Sequence, residues 1–284
     1  MKILVCTISG AYFISQIKAL LNLNIHVDIN LASSGGVIAL FIYLARNKNK
    51  DQILKYCDTI SAKDIFSSEG SVCSIVLTGS VYSHIHLGKS VTDLINNAQI
   101  REDFSISTYS RKKVDERIFA IRGTYGEQIP RSDWCKVMLA AISMPIIMQP
   151  VVYKLNNSVD ILQDGGIAAP SPIIHFLKGK SMKNMFIVYI SPDNKLTSNT
   201  VGIQDMQRQL LSACKTELTV LTLMFDITWN RIGKWTDIDG IVELPEGILH
   251  IIGEIPDTFN MYDFKVGTLS NYISKCKLKY RIYS

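Results

Sequence analysis

The stretch that decides the fold joins a strand-like segment to a helix-like one through two serines and two glycines: Asn30-Leu31-Ala32-Ser33-Ser34-Gly35-Gly36-Val37-Ile38-Ala39-Leu40. Residues 25–31 alternate apolar and polar side chains, as a half-buried strand does, and residues 37–44 are continuously apolar, which favours a core helix. Ser34 lies at the predicted junction. A tight strand-to-helix turn there exposes a hydroxyl beside the free amides and the dipole of the helix N-terminus.

Two interpretations of Ser34 are open at this point. Residues 32–36 fit the Gly-x-Ser-x-Gly pattern of a nucleophile turn, with Ala32 in place of the first glycine and Gly36 as the last. The simpler interpretation is that Ser33 or Ser34 caps the helix, since serine is a preferred N-cap residue. The turn alone does not decide between them.

The rest of the chain predicts an α/β fold in one domain spanning residues 1–284. Residues 3–8, 12–23 and 25–31 alternate strand, helix and strand, which indicates parallel strands joined by crossover helices. The later predictions are a helix over 51–62, a strand over 117–122, a helix over 132–142, hairpin arms over 151–155 and 159–162, a strand over 184–191, a helical region over 203–229, an extended segment over 250–255 and a closing helix over 266–277. Residues from 63 to about 97 lack a clear period, and residues from 63 to about 115 are a candidate cap. The motif-bearing core covers about 1–190, and residues from about 195 to 284 complete the domain.

The composition favours a globular protein and argues against nucleic acid as a partner. The chain has 284 residues, 47% hydrophobic and 19% charged, enough to bury a large core. The net charge of +5 is spread widely, without the dense basic stripe typical of nucleic-acid binding. Two small basic groups, residues 111–113 and residues 275–281, are expected to be solvated faces, with attraction to anionic lipid as the alternative.

The cysteines and the hydropathy predict a protein of a reducing compartment that does not cross a membrane. The six cysteines form no Cys-x-x-Cys pair, which argues against a zinc ribbon or a dense disulfide framework. The apolar N-terminus has no cleavage site of the kind that ends a signal peptide. The longest uncharged run, residues 70–88, is interrupted by polar residues and glycines, so it does not predict a spanning helix.

A nucleophilic Ser34 needs a base, and histidine is the usual one. The chain offers His26, His84, His86, His175 and His250, none marked by its local sequence. The order Ser34, Asp164, then His175 or His250 would suit an α/β-hydrolase, but in that fold the turn follows several strands and here it follows two. The pair His84-x-His86 lacks a third ligand, so no metal is predicted.

Several blocks in the same order make the chain resemble a patatin-like phospholipase. They are Ile17-Lys18-Ala19-Leu20 in the first helix, Ala32-Ser33-Ser34-Gly35-Gly36 at the turn, Ala141-Ile142-Ser143-Met144-Pro145, and Asp164-Gly165-Gly166-Ile167 with Pro172 beyond it. The good matches cover about residues 1–185. The resemblance implies a three-layer α/β/α sandwich with a mostly parallel central sheet and a Ser-Asp dyad, with Ser34 as nucleophile and Asp164 as general base. Gly165 and Gly166 allow close backbone approach behind the carboxylate.

The sequence departs from that family at the oxyanion loop. The family carries Gly-Gly-Gly-x-Arg/Lys-Gly between its first strand and first helix, whereas this chain has only Ser9-Gly10-Ala11. Lys18 lies too far into the helix to replace the missing cation. The expected oxyanion donors are the amides of Gly10, Ala11 and Gly35. Losing one such donor lowers the rate of a working site by roughly 100- to 1000-fold.

The resemblance therefore implies two functions. The first is a cytoplasmic serine lipid acyl hydrolase, acting without metal or cofactor on phospholipid or another acyl-ester lipid at a peripheral membrane surface, through an acyl-enzyme. The alternative is a patatin-fold protein with impaired catalysis that binds lipid or a protein partner, suggested by the shortened loop. A triad hydrolase using His175 or His250 is a third reading. The sequence predicts no oligomeric state.

Overall fold

The structure, a computed structural model, describes residues 3–8, 10, 13–23, 25–66, 80–155, 158–168, 172–177, 185–192, 234, 236–238 and 247–283. The strands are β1 (Ile3–Ile8), β2 (Ile29–Ala32), β3 (Ser80–Tyr82), β4 (Asp103–Ser110), β5 (Asp115–Arg122), β6 (Glu127–Gln128), β7 (Ile146–Met148), β8 (Val151–Leu155), β9 (Ser158–Asp164), β10 (Met185–Pro192), β11 (Thr236–Asp237), β12 (Gly247–Glu254) and β13 (Lys277–Tyr283). The α-helices are α1 (Phe13–Leu23), α2 (Gly35–Ala45), α3 (Lys50–Cys57), α4 (Ala62–Ile65), α5 (Ile85–Asn96), α6 (Trp134–Ala141), α7 (Ile173–Leu177) and α8 (Leu269–Lys275). Short 3-10 turns cover Arg131–Asp133 and Gly165–Ile167.

An 11-stranded sheet forms the centre, in the order β11-β13-β12-β10-β1-β2-β4-β5-β6, with the β8–β9 hairpin attached to β4 through β9. The five strands from β12 to β4 run parallel. Antiparallel pairs flank them, β13 on β12 at one side and β5 and β9 on β4 at the other. The parallel centre matches the crossover connections that the N-terminal alternation predicts.

Helices cover both faces of this sheet. On β1, Cys6 and Ile8 point into the core built with α1 and α2. Val5, on the opposite face, packs in a second core with Ile173 and Phe176 of α7. Successive strand residues face opposite sides, so a strand buried on both faces is continuously apolar, as β1 is. The three-layer α/β/α arrangement expected from the resemblance is confirmed.

Some predicted elements differ from the structure. The β2 strand begins at Ile29 instead of residue 25, and the predicted helix over 51–62 is two helices, α3 and α4. The predicted cap, residues 63 to about 115, contains β4, which lies inside the central sheet. The closing helix is wrong in its extent. It ends at Lys275, and β13 follows because its buried Leu278 and Tyr283 cover the edge of β12. The predicted helical region 203–229 lies outside the described residues.

Candidate active site

The two predicted catalytic residues meet because two strands end facing each other along β4. β2 runs parallel to β4 and ends with Ala32 opposite Ile106. β9 runs antiparallel to β4 and ends with Asp164 opposite Thr108. Only Ser107 separates the two pairing positions on β4. Two segments far apart in sequence therefore deliver their last residues to one point at the centre of the sheet.

The turn after β2 holds Ser34 in a strained conformation. Its φ of 53° and ψ of −142° lie outside the regions that residues with a Cβ favour. The Ser33 N–H donates to the Ile8 carbonyl at 3.0 Å, which ties the turn to the end of β1. A Cβ on Gly36 would lie 2.7 Å from the same carbonyl oxygen, so only glycine fits there. The Ser34 side chain makes no capping hydrogen bond, so the simpler interpretation of Ser34 as a side-chain helix cap is wrong.

The Ser34 hydroxyl is instead directed at Asp164. Ser34 Oγ donates to Asp164 Oδ2 at 2.8 Å, and the two residues are 8% and 4% exposed. The other carboxylate oxygen accepts the Gly166 N–H at 2.8 Å. The Asp164 N–H donates to the Ser143 carbonyl at 3.1 Å, so the Ala141–Pro145 block holds the base in place. Each side of the carboxylate is thus fixed by a named donor.

Burial raises the pKa of the Asp164 carboxyl to about 6, and the hydrogen bonds from Gly166 and Ser34 work in the opposite direction. Desolvation penalises the charged form of a carboxyl, which makes the carboxylate a stronger base. A pKa near 6 still leaves most of Asp164 ionised at neutral pH. Asp164 therefore combines the ionisation and the basicity that a general base needs.

The two glycines after Asp164 have different functions. A Cβ on Gly165 would lie 2.5 Å from the Ser107 carbonyl oxygen, so this glycine lets the chain turn tightly against β4. Gly166 supplies the amide that binds the carboxylate. Ser107 and Ser143 both shape the site, and sequence reasoning gave neither of them this function. Ser143 stood inside a quoted block, whereas Ser107 had no local signal.

Two of the three expected oxyanion donors lie in the described residues. Gly35 is the first residue of α2, so its amide belongs to the N-terminal N–H groups that have no partner within the helix. Gly10 is buried after β1 with a φ of 98°, and its carbonyl accepts Gln16 Nε2 at 3.1 Å. Ala11 lies outside the described residues. The Gly36 N–H donates to the Ser33 carbonyl and is already satisfied.

An apolar pocket of about 950 Å³, open mouth included, begins at the dyad. Ser34, Gly35 and Asp164 line it together with Ile38 and Ile42. Positions four apart share a helix face, so this stripe of α2 extends about 12 Å from the serine. The opposite wall comes from α5 and from the loop around β7, through Leu87, Val91, Leu94, Ile142, Met144, Ile147 and Met148.

The histidines considered as bases bond elsewhere. His175 Nδ1 lies 3.5 Å from Glu116 Oε2, and His250 Nε2 lies 2.7 Å from Ser191 Oγ. His84 contacts the Ser143 hydroxyl at 2.9 Å, with its pKa lowered by burial. In the described part of the chain, no group of three or more His, Cys, Asp or Glu side chains is arranged to hold a metal. No helix in the same part is long and apolar enough to span a bilayer.

Comparisons with known proteins identify the family of this chain. A family model described as Patatin-like phospholipase matches residues 6–177, which include Ser34 and Asp164. The solved structure of VipD from Legionella pneumophila aligns over 96% of this chain with 12% identity and a TM-score of 0.40. The alignment spans 66% of the VipD chain. A search of curated proteins returned no match.

Proposed function

Because this chain belongs to the patatin-like phospholipase family, we propose that it is a serine lipid acyl hydrolase that cleaves fatty-acyl esters through Ser34 and Asp164. The observation that carries the proposal is the 2.8 Å hydrogen bond from Ser34 Oγ to Asp164 Oδ2 in the wall of an apolar pocket. A serine hydroxyl is a weak nucleophile until a base within such a distance accepts its proton.

The first half-reaction acylates the enzyme. Asp164 Oδ2 accepts the hydroxyl proton while Ser34 Oγ bonds to the ester carbonyl carbon. The carbonyl oxygen becomes an oxyanion, which the amide of Gly35 at the start of α2 stabilises together with Gly10 and Ala11. The bond to the alcohol then breaks, and Asp164 returns the proton to the leaving oxygen. The products of this step are the free alcohol and an acyl-Ser34.

The second half-reaction releases the fatty acid. Water attacks the acyl carbon and gives its proton to Asp164, which then protonates Ser34 Oγ as it leaves. One carboxyl serves both steps because its pKa, raised by burial to about 6, lets it accept and return a proton near neutral pH. No metal or cofactor takes part in this sequence.

The pocket supports a lipid substrate. Its walls are mostly aliphatic, and the α2 stripe through Ile38 and Ile42 leads away from the nucleophile. Burying each methylene of an acyl chain in such a pocket contributes about 0.8 kcal/mol. A long-chain ester therefore gains binding free energy that a short, soluble ester lacks. We place the reaction at a membrane surface, because long-chain acyl esters are held in bilayers. The described cysteines Cys6, Cys57, Cys135 and Cys276 are free thiols, which fits a reducing compartment.

Substitution of the nucleophile tests the proposal. Ester hydrolysis and covalent labelling by a fluorophosphonate are both expected to vanish in Ser34→Ala. The matched control is Ser110→Ala, which removes a different buried serine hydroxyl that also contacts a carboxylate. Ser110→Ala should hydrolyse esters at the parental rate. Hydrolysis that persists in Ser34→Ala would overturn the assignment.

The alternative of a catalytically impaired lipid-binding protein predicts a different result. Wild-type protein would then bind lipid without hydrolysing esters and without labelling at Ser34. A triad enzyme would lose activity when His175 or His250 is replaced, whereas the dyad loses activity only with Ser34 or Asp164. One panel of variants separates the three readings.

A further inference from the structure

Exposed apolar side chains concentrate at one corner of the molecule. Of the five large apolar side chains that are exposed among the described residues, Val114, Val152 and Val159 lie on the β4–β5 turn and the β8–β9 hairpin, at 72%, 58% and 53% exposure. Lysines stand between them. We call this the valine-lysine surface, defined by Lys112, Lys113, Val114, Val152, Lys154 and Val159.

The strand register places the hairpin side chains Val152, Lys154 and Val159 on one outward face. In the β8–β9 hairpin, Lys154 pairs with Val159, and both are exposed. The neighbouring pair, Tyr153 and Asp160, is buried on the opposite face. Because successive strand residues alternate faces, Val152 shares the outward face with Lys154.

The β4–β5 turn is fastened to the same hairpin. Lys112 Nζ donates to Ser158 Oγ at 2.9 Å, and the Arg111 N–H donates to the Ile161 carbonyl at 3.0 Å. The Lys113 N–H donates to Ser110 Oγ at 3.0 Å. The turn and the hairpin thus form one rigid surface on which cations and valines are interspersed.

Val114 is in a conformation that does not suit it. Its φ of 56° is in the left-handed region, where glycine and asparagine are common and a β-branched residue is an outlier. Its side chain is also 72% exposed and so gains little from packing within the chain. An exposed valine in a strained backbone conformation is a candidate for contact with a partner.

The surface carries a clear excess of positive charge. Arg111, Lys112, Lys113 and Lys154 are exposed, and within the turn the exposed carboxylate is Asp115. Asp160, beneath the turn, is buried and paired with Arg117, so it does not offset the surface charge. Apolar side chains among several cations are the composition of surfaces that enter the headgroup region of anionic membranes.

We propose that the valine-lysine surface docks the protein on a bilayer that contains anionic phospholipid, with the lysines at the headgroups and Val114, Val152 and Val159 reaching the acyl boundary. This inference rests on the proposed function, since a lipid acyl hydrolase must reach substrate held in a bilayer. β9 connects the surface to the site: Val159 stands five residues before Asp164, about 17 Å along the strand.

Sedimentation with vesicles tests the docking in a Ser34→Ala background, where no hydrolysis alters the membrane. We expect the protein to bind more tightly to phosphatidylcholine vesicles that contain roughly 30% phosphatidylserine than to vesicles of phosphatidylcholine alone. Binding to the anionic vesicles should weaken at high salt. The triple variant Lys112→Gln, Lys113→Gln, Lys154→Gln should bind about 100-fold more weakly, at about fivefold per lysine. The matched control changes three exposed lysines elsewhere, Lys265→Gln, Lys275→Gln and Lys277→Gln, and should bind like the parent.

A second variant separates docking from folding. Val114→Asn should raise the Tm, because asparagine tolerates the left-handed region, and yet weaken vesicle binding about tenfold. Val266→Asn, at another exposed valine, is its control and should leave vesicle binding unchanged. Equal binding of the parent to both vesicle types, or parental binding by the lysine triple variant and Val114→Asn, would overturn the docking surface, as would a requirement for a protein partner.

The failure of this inference is distinguishable from failure of the proposed function. With Ser34 intact, the docking variants should hydrolyse a soluble short-chain ester at the parental rate and lose turnover only on vesicle substrate. If Ser34→Ala retained ester hydrolysis, the proposed function would fail while the vesicle-binding result still decided the docking surface.

Discussion

Two aspartates of strand β9 each accept a hydrogen bond from a serine, and only one of these serine-aspartate pairs is arranged for chemistry. Near the start of β9, Asp160 Oδ2 accepts a hydrogen bond from Ser110 Oγ at 2.6 Å. At its end, Ser34 Oγ donates to Asp164 Oδ2 at 2.8 Å. Both carboxylates are 4% exposed. Distance and surface exposure therefore do not distinguish the two pairs, whereas Asp164 lies deeper in the protein and accepts fewer hydrogen bonds than Asp160.

Asp160 is saturated with donors. Burial raises its pKa, but the hydrogen bond from Ser110, the N–H groups of Lys112 and Ile161, and the charge of Arg117 together lower it below the ordinary value. Asp164 accepts from Gly166 and Ser34, and burial dominates its pKa. A hydroxyl-carboxylate contact thus makes a base only where no cation and few donors stabilise the charge. Asp160 instead holds the turn that bears the valine-lysine surface.

The largest expected effect comes from removing the base. Asp164→Asn should lower kcat by about 10⁴-fold, equivalent to about 5 kcal/mol, because no other group accepts the Ser34 proton. The variant should keep its fold, since the asparagine oxygen can still accept the Gly166 N–H. Single-turnover kinetics with a fluorogenic ester measure the loss. A decrease of less than about tenfold would mean that Asp164 is not the base.

The same substitution at Asp160 should lower stability and leave activity nearly unchanged, the reverse of the result expected at Asp164. Asp160→Asn leaves Arg117 with Glu127 alone and weakens the acceptor for Ser110 and two amides. Breaking a buried, hydrogen-bonded ion pair costs about 4 kcal/mol of unfolding free energy. Urea denaturation measures this cost, while activity per folded molecule on a soluble ester should stay near the parental value. If activity falls while stability holds, the division between the two pairs is wrong.

The sequence indicates the Ser34–Asp164 pair but not the Ser110–Asp160 pair, for a physical reason. Ser34 and Asp164 stand beside glycines that the turns require, and those glycines are visible in the sequence. Strand β4 was not predicted, and its residues fell in the candidate cap. Ser105 Oγ donates to the Tyr125 carbonyl and Thr108 Oγ1 to the Arg117 carbonyl. These hydroxyls become compatible with burial only when segments distant in the sequence supply acceptors, and no local pattern contains that information.

Strand β13, at the C-terminal end of the chain, also could not be predicted from its local sequence. Residues 266–277 have helical spacing, and part of that segment is α8. The last seven strand residues, Lys277–Tyr283, depend on an open antiparallel edge offered by β12. Whether a segment of alternating side chains becomes a strand is decided by that partner, which the local sequence does not name.

Opposite effects of pH on activity and stability are expected at Asp164. The hydrolytic rate should fall about tenfold per pH unit below pH 6, as the base, whose pKa is about 6, becomes protonated. The sign for stability is reversed. The folded-state pKa lies above the ordinary value of 3.8, so the folded protein binds the proton more tightly than the unfolded chain. The stabilisation is present below pH 3.8 and is lost as the pH rises through about 6.

Comparison with Asp164→Asn isolates the contribution of the raised Asp164 pKa to the pH dependence of stability. Its stability relative to the wild type should rise by about 3 kcal/mol between low and neutral pH, because the asparagine carries no buried charge. Chemical denaturation of both proteins across the pH range measures the difference. Asp160→Asn is the matched control and should give the opposite slope, because the pKa of Asp160 is lowered. Parallel stability curves for wild type and Asp164→Asn would contradict the raised pKa.

The smallest expected effect is a difference in stability between glycine and alanine substitutions, which should have opposite signs at Ser34 and Ser110. Ser34→Gly and Ser34→Ala both remove the hydroxyl, but at a φ of 53° and ψ of −142° only alanine keeps the strained Cβ. Glycine should therefore be more stable than alanine by about 1 kcal/mol at this position. At Ser110, the last residue of β4, the order should reverse by about 0.5–1 kcal/mol, because glycine loses more backbone entropy on folding. Thermal unfolding of the four variants measures both differences. The same sign at both serines would show that the turn stores no strain at Ser34, and the nucleophile would then be distinguished from Ser110 by its carboxylate partner alone.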